Sequence, residues 1–193
     1  MSPKHSTLFR YILCALFAAL TGVLSQVNVP LGFTPVPLNL ALLSVLICGG
    51  VLGAKRGAIA IAVYILLGMV GVPVFANFQG GLAAIAGPTG GYIVGYLPAA
   101  VIMGLLSGWT PAGGSPAART GKGIAVSLAK GIPAVAACYA LGTAWFMHLQ
   151  GVGFMAALWS CVIPFIPVDV LKIICASVVV EALKRPMRVL SLS

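Results

Sequence analysis

The chain reads as an all-α integral membrane protein of about six transmembrane helices with both termini cytoplasmic. Three observations predict this. Hydrophobic residues make up 61% of the sequence and charged residues only 7%, where a soluble domain carries about 25% charged residues. Apolar runs approaching the roughly 20 residues of a bilayer crossing recur along the chain. Basic residues gather at every second junction between those runs, the asymmetry that sets orientation across a membrane. The length suits one membrane-embedded domain, residues 1–193. A net charge of +9 does not point to nucleic acid, because the basic residues are scattered rather than gathered on one soluble face. The expected surroundings are membrane lipids.

The first span is expected from about Phe9 to Gln26. Lys4 and Arg10 precede its apolar run, Tyr11 to Leu24, as in a signal peptide, but the regular spans that follow favour a retained helix. It holds Ala15-Leu-Phe-Ala-Ala19, small residues four apart that let another helix approach closely. Residues 27–37 contain three prolines and a glycine, which rule out regular helix. Such a segment cannot face lipid, and its apolar side chains suggest that it folds back as a connector or a lid. The second span runs from about Leu38 to Leu52, with Asn39 near its start as a helix cap or a pocket residue. A tight basic turn, residues 53–57, leads to the third span, Ala58 to about Val72.

Residues 73–91 form a second irregular region, in which Asn77 and Gln79 sit among aromatic and small residues. Its Gly-Pro-Thr-Gly-Gly run ends at Gly90 and Gly91 and leads through Tyr92 into the fourth span, which ends near Leu106. Glycines allow backbone to approach a ligand closely, and an asparagine amide both donates and accepts. Residues 107–123 read as a flexible cytoplasmic linker carrying Arg119 and Lys122. The fifth span covers about Ile124 to His148, with Lys130 placed to snorkel. A brief apolar segment, Phe154 to Ile163, precedes the last span, Pro167 to about Leu183. Glu181 and Arg185 are spaced for a surface ion pair there.

Basic residues mark the N-terminus, the 53–57 turn, the 107–123 linker and the C-terminus (Lys184, Arg185, Arg188), while the loops at 27–37, 73–91 and 149–153 carry none. Both irregular Pro/Gly regions therefore fall on the outer side, together with the start of the last span. That start holds Asp169, the only aspartate, and Lys172 three residues on, on one helix face. A charge at mid-bilayer costs roughly 2.5–3.5 kcal/mol, so such residues usually face a bundle interior and act there. Asp169 also lies near a helix N-terminus, where the dipole favours negative charge. A carboxylate, an ammonium, an amide and glycines suit binding of a polar small molecule; Lys172 either grips the ligand or only neutralises Asp169.

Enzyme templates fail. An aspartyl intramembrane protease needs two aspartates, and there is no Gly-x-Ser-x-Gly turn, His-Glu-x-x-His or P-loop. The five cysteines match no metal spacing and read as small buried hydrophobes. No catalytic residue, metal or cofactor is expected.

Pro-Val-Pro-Leu at 35–38, Gly-Val-Pro-Val-Phe at 71–75, Gly-Gly-Leu at 80–82, Gly-Pro-Thr-Gly-Gly-Tyr at 87–92 and Pro-Val-Asp-Val-Leu-Lys at 167–172 together resemble the BioY family. Its members are biotin-specific substrate-binding (S) components of energy-coupling factor (ECF) transporters. The resemblance spans about residues 10 to 185. It implies six helices that capture biotin from outside, a transmembrane coupling protein (T component) and two ABC-type ATPases as partners, and no enzymatic activity. It assigns the coupling-protein contact to Ala15 and Ala19, and ligand positions to Asn77, Asp169 and Lys172. One departure is visible: family members often have Gln after Pro-(Ile/Leu)-Thr-Leu, where this chain reads Pro-Leu-Asn-Leu-Ala from Pro37. A site of these residues suits biotin, whose ureido group offers two N–H donors and a carbonyl to Asp169 and Asn77. Lys172 or the glycine-rich turn suits its carboxylate. Two other readings are an S component for another vitamin and a stand-alone secondary transporter with Asp169 as a proton relay.

Overall fold

Where nearly every residue is apolar, Pro, Gly and the few polar groups decide where helices stop. The computed structural model describes the backbone of residues 3–105 and 116–192, and the side chains of residues 8–105 and 123–183. Helix α1 (Pro3–Gln26) runs unbroken to the polar Ser25-Gln26 pair. The Pro/Gly segment beyond it is irregular except for two short strands, β1 (Asn28–Val29) and β2 (Leu38–Asn39). These pair antiparallel, Asn28 opposite Asn39 and Val29 opposite Leu38, and close the loop on itself. Helix α2 (Ala41–Leu52) consequently starts later than the apolar run suggests. Asn39 Oδ1 accepts the Ala41 N–H at 3.1 Å, satisfying one otherwise unpaired donor at the helix start.

The basic turn shrinks to Gly53, which takes φ 81°; Lys55 and Arg56 belong to the first turn of α3 (Ala54–Met69). A single residue at positive φ suffices to reverse the chain, and glycine adopts it without steric cost. A 3₁₀ turn (Ala76–Phe78) and a short helix, α4 (Leu82–Ala86), lie within the second irregular region. Helix α5 (Gly90–Leu105) follows. Helix α6 (Pro116–Gln150) reaches back into the stretch read as a linker; residues 106–115, which hold the first part of that linker, lie outside the described residues. Helices α7 (Phe154–Cys161) and α8 (Ile166–Leu192) meet at a bend of 55°.

Among the described residues, Leu8–Gln26 and Gly123–Gln150 are each long and apolar enough to cross a membrane, and the bent α7–α8 pair makes a third such unit. Ala41–Leu52 and Gly90–Leu105 are apolar but shorter. Helix α5 is central, packed against α2, α3 and α6. Close approach holds it there: a Cβ on Gly49 would stand 2.3 Å from the Ala100 carbonyl oxygen. Small residues that allow such contact are the usual packing device among helices in lipid, where apolar burial alone gives no drive.

Three expectations change. Lys130 does not snorkel; it is buried, at 4% exposure. Of the apolar side chains in the 27–37 loop, Val36 is buried, but Val27, Val29 and Phe33 are exposed. Four cysteines are buried as expected, whereas Cys175 is exposed. The side chains of Lys4, His5, Arg119, Lys122, Lys184, Arg185 and Arg188 lie outside the described residues, and with them the expected pairing of Glu181 with Arg185.

Candidate ligand site

At one end of the helices the two irregular segments and the start of α8 converge on a cavity of about 100 Å³. Asp169 and Lys172 line it from α8, Tyr139 and Cys138 from α6, and Tyr92 and Tyr96 from α5. The first loop supplies Pro35, Val36 and Pro37; the second supplies Phe75, Asn77, Gln79 and Thr89.

The floor is built from α8. Its first turn presents Asp169, and Lys172 follows on the same face. Lys172 Nζ donates to Asp169 Oδ1 at 2.7 Å. Tyr139 Oη donates to Asp169 Oδ2 at 2.5 Å. The pair is almost fully enclosed, at 4% and 6% exposure. Such burial is tolerated only when each charge is paired and hydrogen-bonded. Capacity remains: a carboxylate has about four acceptor positions and an ammonium three donors. A ligand N–H can still reach Asp169, and a ligand acceptor can still reach Lys172.

The walls are aromatic. Tyr64 and Phe75 meet edge to face with centroids 5.5 Å apart. The Tyr92 hydroxyl lies 3.3 Å from Thr143 Oγ1 and donates to the Cys161 carbonyl at 3.4 Å. Its hydroxyl is thus engaged by the protein, and its ring forms cavity wall. Tyr96 Oη donates to Asn39 Oδ1 at 3.5 Å, so Asn39 serves both as cap and as cavity lining.

The rim is the 3₁₀ turn. Asn77 and Gln79 line the cavity yet are exposed, which puts them at its mouth. Neither side chain makes a hydrogen bond among the described residues. Asn77 and Phe78 take φ 59° and 56°. Asparagine enters this left-handed region more readily than most residues, whereas for phenylalanine it is a true outlier; such conformations cost about 1–3 kcal/mol each and persist only where surroundings enforce them. The enforcing groups come from α1. Gln26 Nε2 donates to the Phe75 carbonyl at 2.9 Å, and Gln26 Oε1 accepts the Phe78 N–H at 2.9 Å. Ser25 Oγ donates to the Val74 carbonyl. Farther along the same irregular segment, Trp145 Nε1 of α6 donates to the Gly87 carbonyl at 2.9 Å.

Of the residues picked from sequence, Asn77, Gln79, Tyr92, Asp169 and Lys172 all face one cavity. Gly90 and Gly91 do not line it. A Cβ on Gly90 would lie 1.6 Å from the Ile85 carbonyl oxygen, and one on Gly91 2.3 Å from Trp145 Cβ. These glycines seat α5 against α4 and α6, and Thr89 is the member of that run at the cavity wall. Ala15 and Ala19 are exposed on α1 beside Tyr11, Ile12 and Leu16, on a face turned away from the core. Sequence reasoning missed Tyr139, Gln26 and Trp145. Tyr139 is one of several polar tips scattered along α6, with Ser127, Lys130 and Thr143, and no spacing among them singles it out.

The model of the BioY family matches residues 1–189. A "probable biotin transporter BioY" of Pyrococcus horikoshii is 39% identical over 172 residues, covering 89% of this chain and 94% of the relative. A "biotin transporter BioY" of Thermotoga maritima is 35% identical over 174 residues, covering 90% and 95%. Among solved structures, an S-component for biotin from an ECF-type ABC transporter superposes with a TM-score of 0.78 at 24% identity, covering 96% of this chain and 95% of that one; at that identity the match establishes the fold. The helices, their cavity and these relatives lead to one conclusion: this chain belongs to the BioY family.

Proposed function

We propose that this chain is the biotin-binding S component of an ECF transporter, capturing biotin from the outer side of the cytoplasmic membrane for uptake. The observation that carries the reading is the cavity floor, a buried Asp169–Lys172 pair with unused hydrogen-bonding capacity, in a chain whose relatives are named biotin transporters. Asp169 accepts a ureido N–H. The apolar sleeve of Phe75, Tyr92 and Tyr96 takes the thiophane ring and methylenes. Asn77, Gln79 or Thr89 meets the polar end nearer the mouth.

In this reading α1, α2, α3, α5, α6 and the bent α7–α8 unit make six crossings. Both termini lie in the cytoplasm, as the basic junctions favour. The cavity then opens outward. The exposed Ala15 and Ala19 on α1 contact a T component, which works with two ABC-type ATPases.

Equilibrium titration of the purified protein with radiolabelled biotin, against a panel of other vitamins, tests the reading. Saturable binding of biotin alone supports it. Preference for another vitamin, or no binding, rejects it.

A further inference from the structure

The turn that carries Asn77 does not hold itself. Asn77 and Phe78 are consecutive non-glycine residues at positive φ, and the backbone hydrogen bonds local to the turn are Phe75 N–H to Gln79 O at 3.0 Å and Gln79 N–H to Ala76 O at 3.4 Å. The Phe78 N–H instead goes to a side chain 52 residues away in sequence, Gln26. The same amide group, through its nitrogen, holds the Phe75 carbonyl on the other side of Asn77. Gln26 thus brackets Asn77 from both flanks, at the last position of α1. Its neighbour Ser25, 1% exposed, adds a bond to the Val74 carbonyl. Gln26 is half-buried and is not part of the cavity wall, so it reaches a ligand only through the turn.

We propose that Gln26 is a positioning residue for ligand binding: its side-chain amide clamps residues 75–78 and thereby aims the Asn77 amide into the cavity mouth. An amide is the side chain this needs. One end must accept from an N–H and the other must donate to a carbonyl, which glutamate, leucine or lysine cannot do together. The ligand arm of the test rests on the biotin reading; the backbone arm does not.

The backbone arm is hydrogen exchange of the ligand-free protein over residues 75–81. Gln26→Ala should speed exchange of the Phe78 amide by about tenfold, the equivalent of one ordinary hydrogen bond. Gln26→Glu, which keeps the acceptor, should leave it slow. Equal exchange in the wild type and Gln26→Ala would overturn the clamp whether or not biotin binds. The ligand arm is a double-mutant cycle on biotin affinity, with Asn77→Gly as the second change because glycine keeps the left-handed backbone. Gln26→Ala should weaken binding by about three- to tenfold, no more than Asn77→Gly itself, in the wild-type background and hardly at all in Asn77→Gly. Equal losses in both backgrounds would mean that Gln26 does not act through Asn77. If Gln26→Ala does not fold, Gln26→Glu takes its place in the cycle, with a several-fold loss expected from the missing donor. A wild type that binds no biotin counts against the proposed function, and the exchange arm still decides the clamp.

Discussion

The two polar ends of the cavity are built in opposite ways. At the floor, Asp169 and Lys172 are buried, bonded to each other, and buttressed by Tyr139 from another helix. At the rim, Asn77 and Gln79 are exposed, their side chains unengaged, on a turn in an unfavourable backbone conformation. The floor sits on one rigid helix and is satisfied before any ligand arrives. The rim has no regular helix beneath it and depends on Gln26 and Ser25 reaching in from α1. A site assembled this way ties fold stability to its floor and hangs its rim on side chains of another helix. Changes at the floor should cost both folding and binding, whereas changes at the rim should cost binding alone.

The largest effect is expected for Asp169→Asn. Removing one partner of a buried ion pair costs about 3–5 kcal/mol, visible as a lowered unfolding temperature, and biotin affinity should fall well over tenfold. Adding Lys172→Met should recover most of the stability without recovering binding, which separates the two roles of the floor. Next in size is Gly90→Ala. Its Cβ would collide with the Ile85 carbonyl, costing about 1–3 kcal/mol of stability, while the folded fraction should bind biotin with nearly normal affinity. Tyr139→Phe removes the second bond to Asp169. A hydrogen bond to a charged group is worth about 1.5 kcal/mol or somewhat more, so binding should weaken by roughly tenfold with a modest loss of stability. The smallest effect belongs to the rim. Asn77→Gly should reduce affinity by about three- to tenfold, one neutral hydrogen bond, and leave the unfolding temperature unchanged or slightly raised. A stability loss there as large as that at the floor would end the contrast.

The floor was legible in the sequence because acids are so rare in this chain that Asp169 and its partner Lys172 stand out. The irregular segments were legible because Pro and Gly exclude helix whatever the fold. What the sequence hid has physical causes. The glycine run before Tyr92 has two uses, close approach to a ligand or close approach of helices, and residue type does not distinguish them; at Gly90 and Gly91 the neighbours are Ile85 and Trp145. Lys130 looked like a snorkelling residue because it lies near the start of an apolar run, yet the helix continues back to Pro116 and the side chain is enclosed. Helix α3 begins at Ala54 because one glycine at positive φ makes the turn, and the basic Lys55 and Arg56 are free to be helical. The clamp at Gln26 joins positions some fifty apart, a pairing that no local pattern encodes.

The most direct test of the account is a side-by-side titration of the purified wild type and Asp169→Asn with radiolabelled biotin, each shown to be folded by its unfolding transition. The floor assignment predicts saturable one-site binding in the wild type and a dissociation constant more than tenfold higher in the variant. Superimposable binding curves from two folded proteins would contradict it.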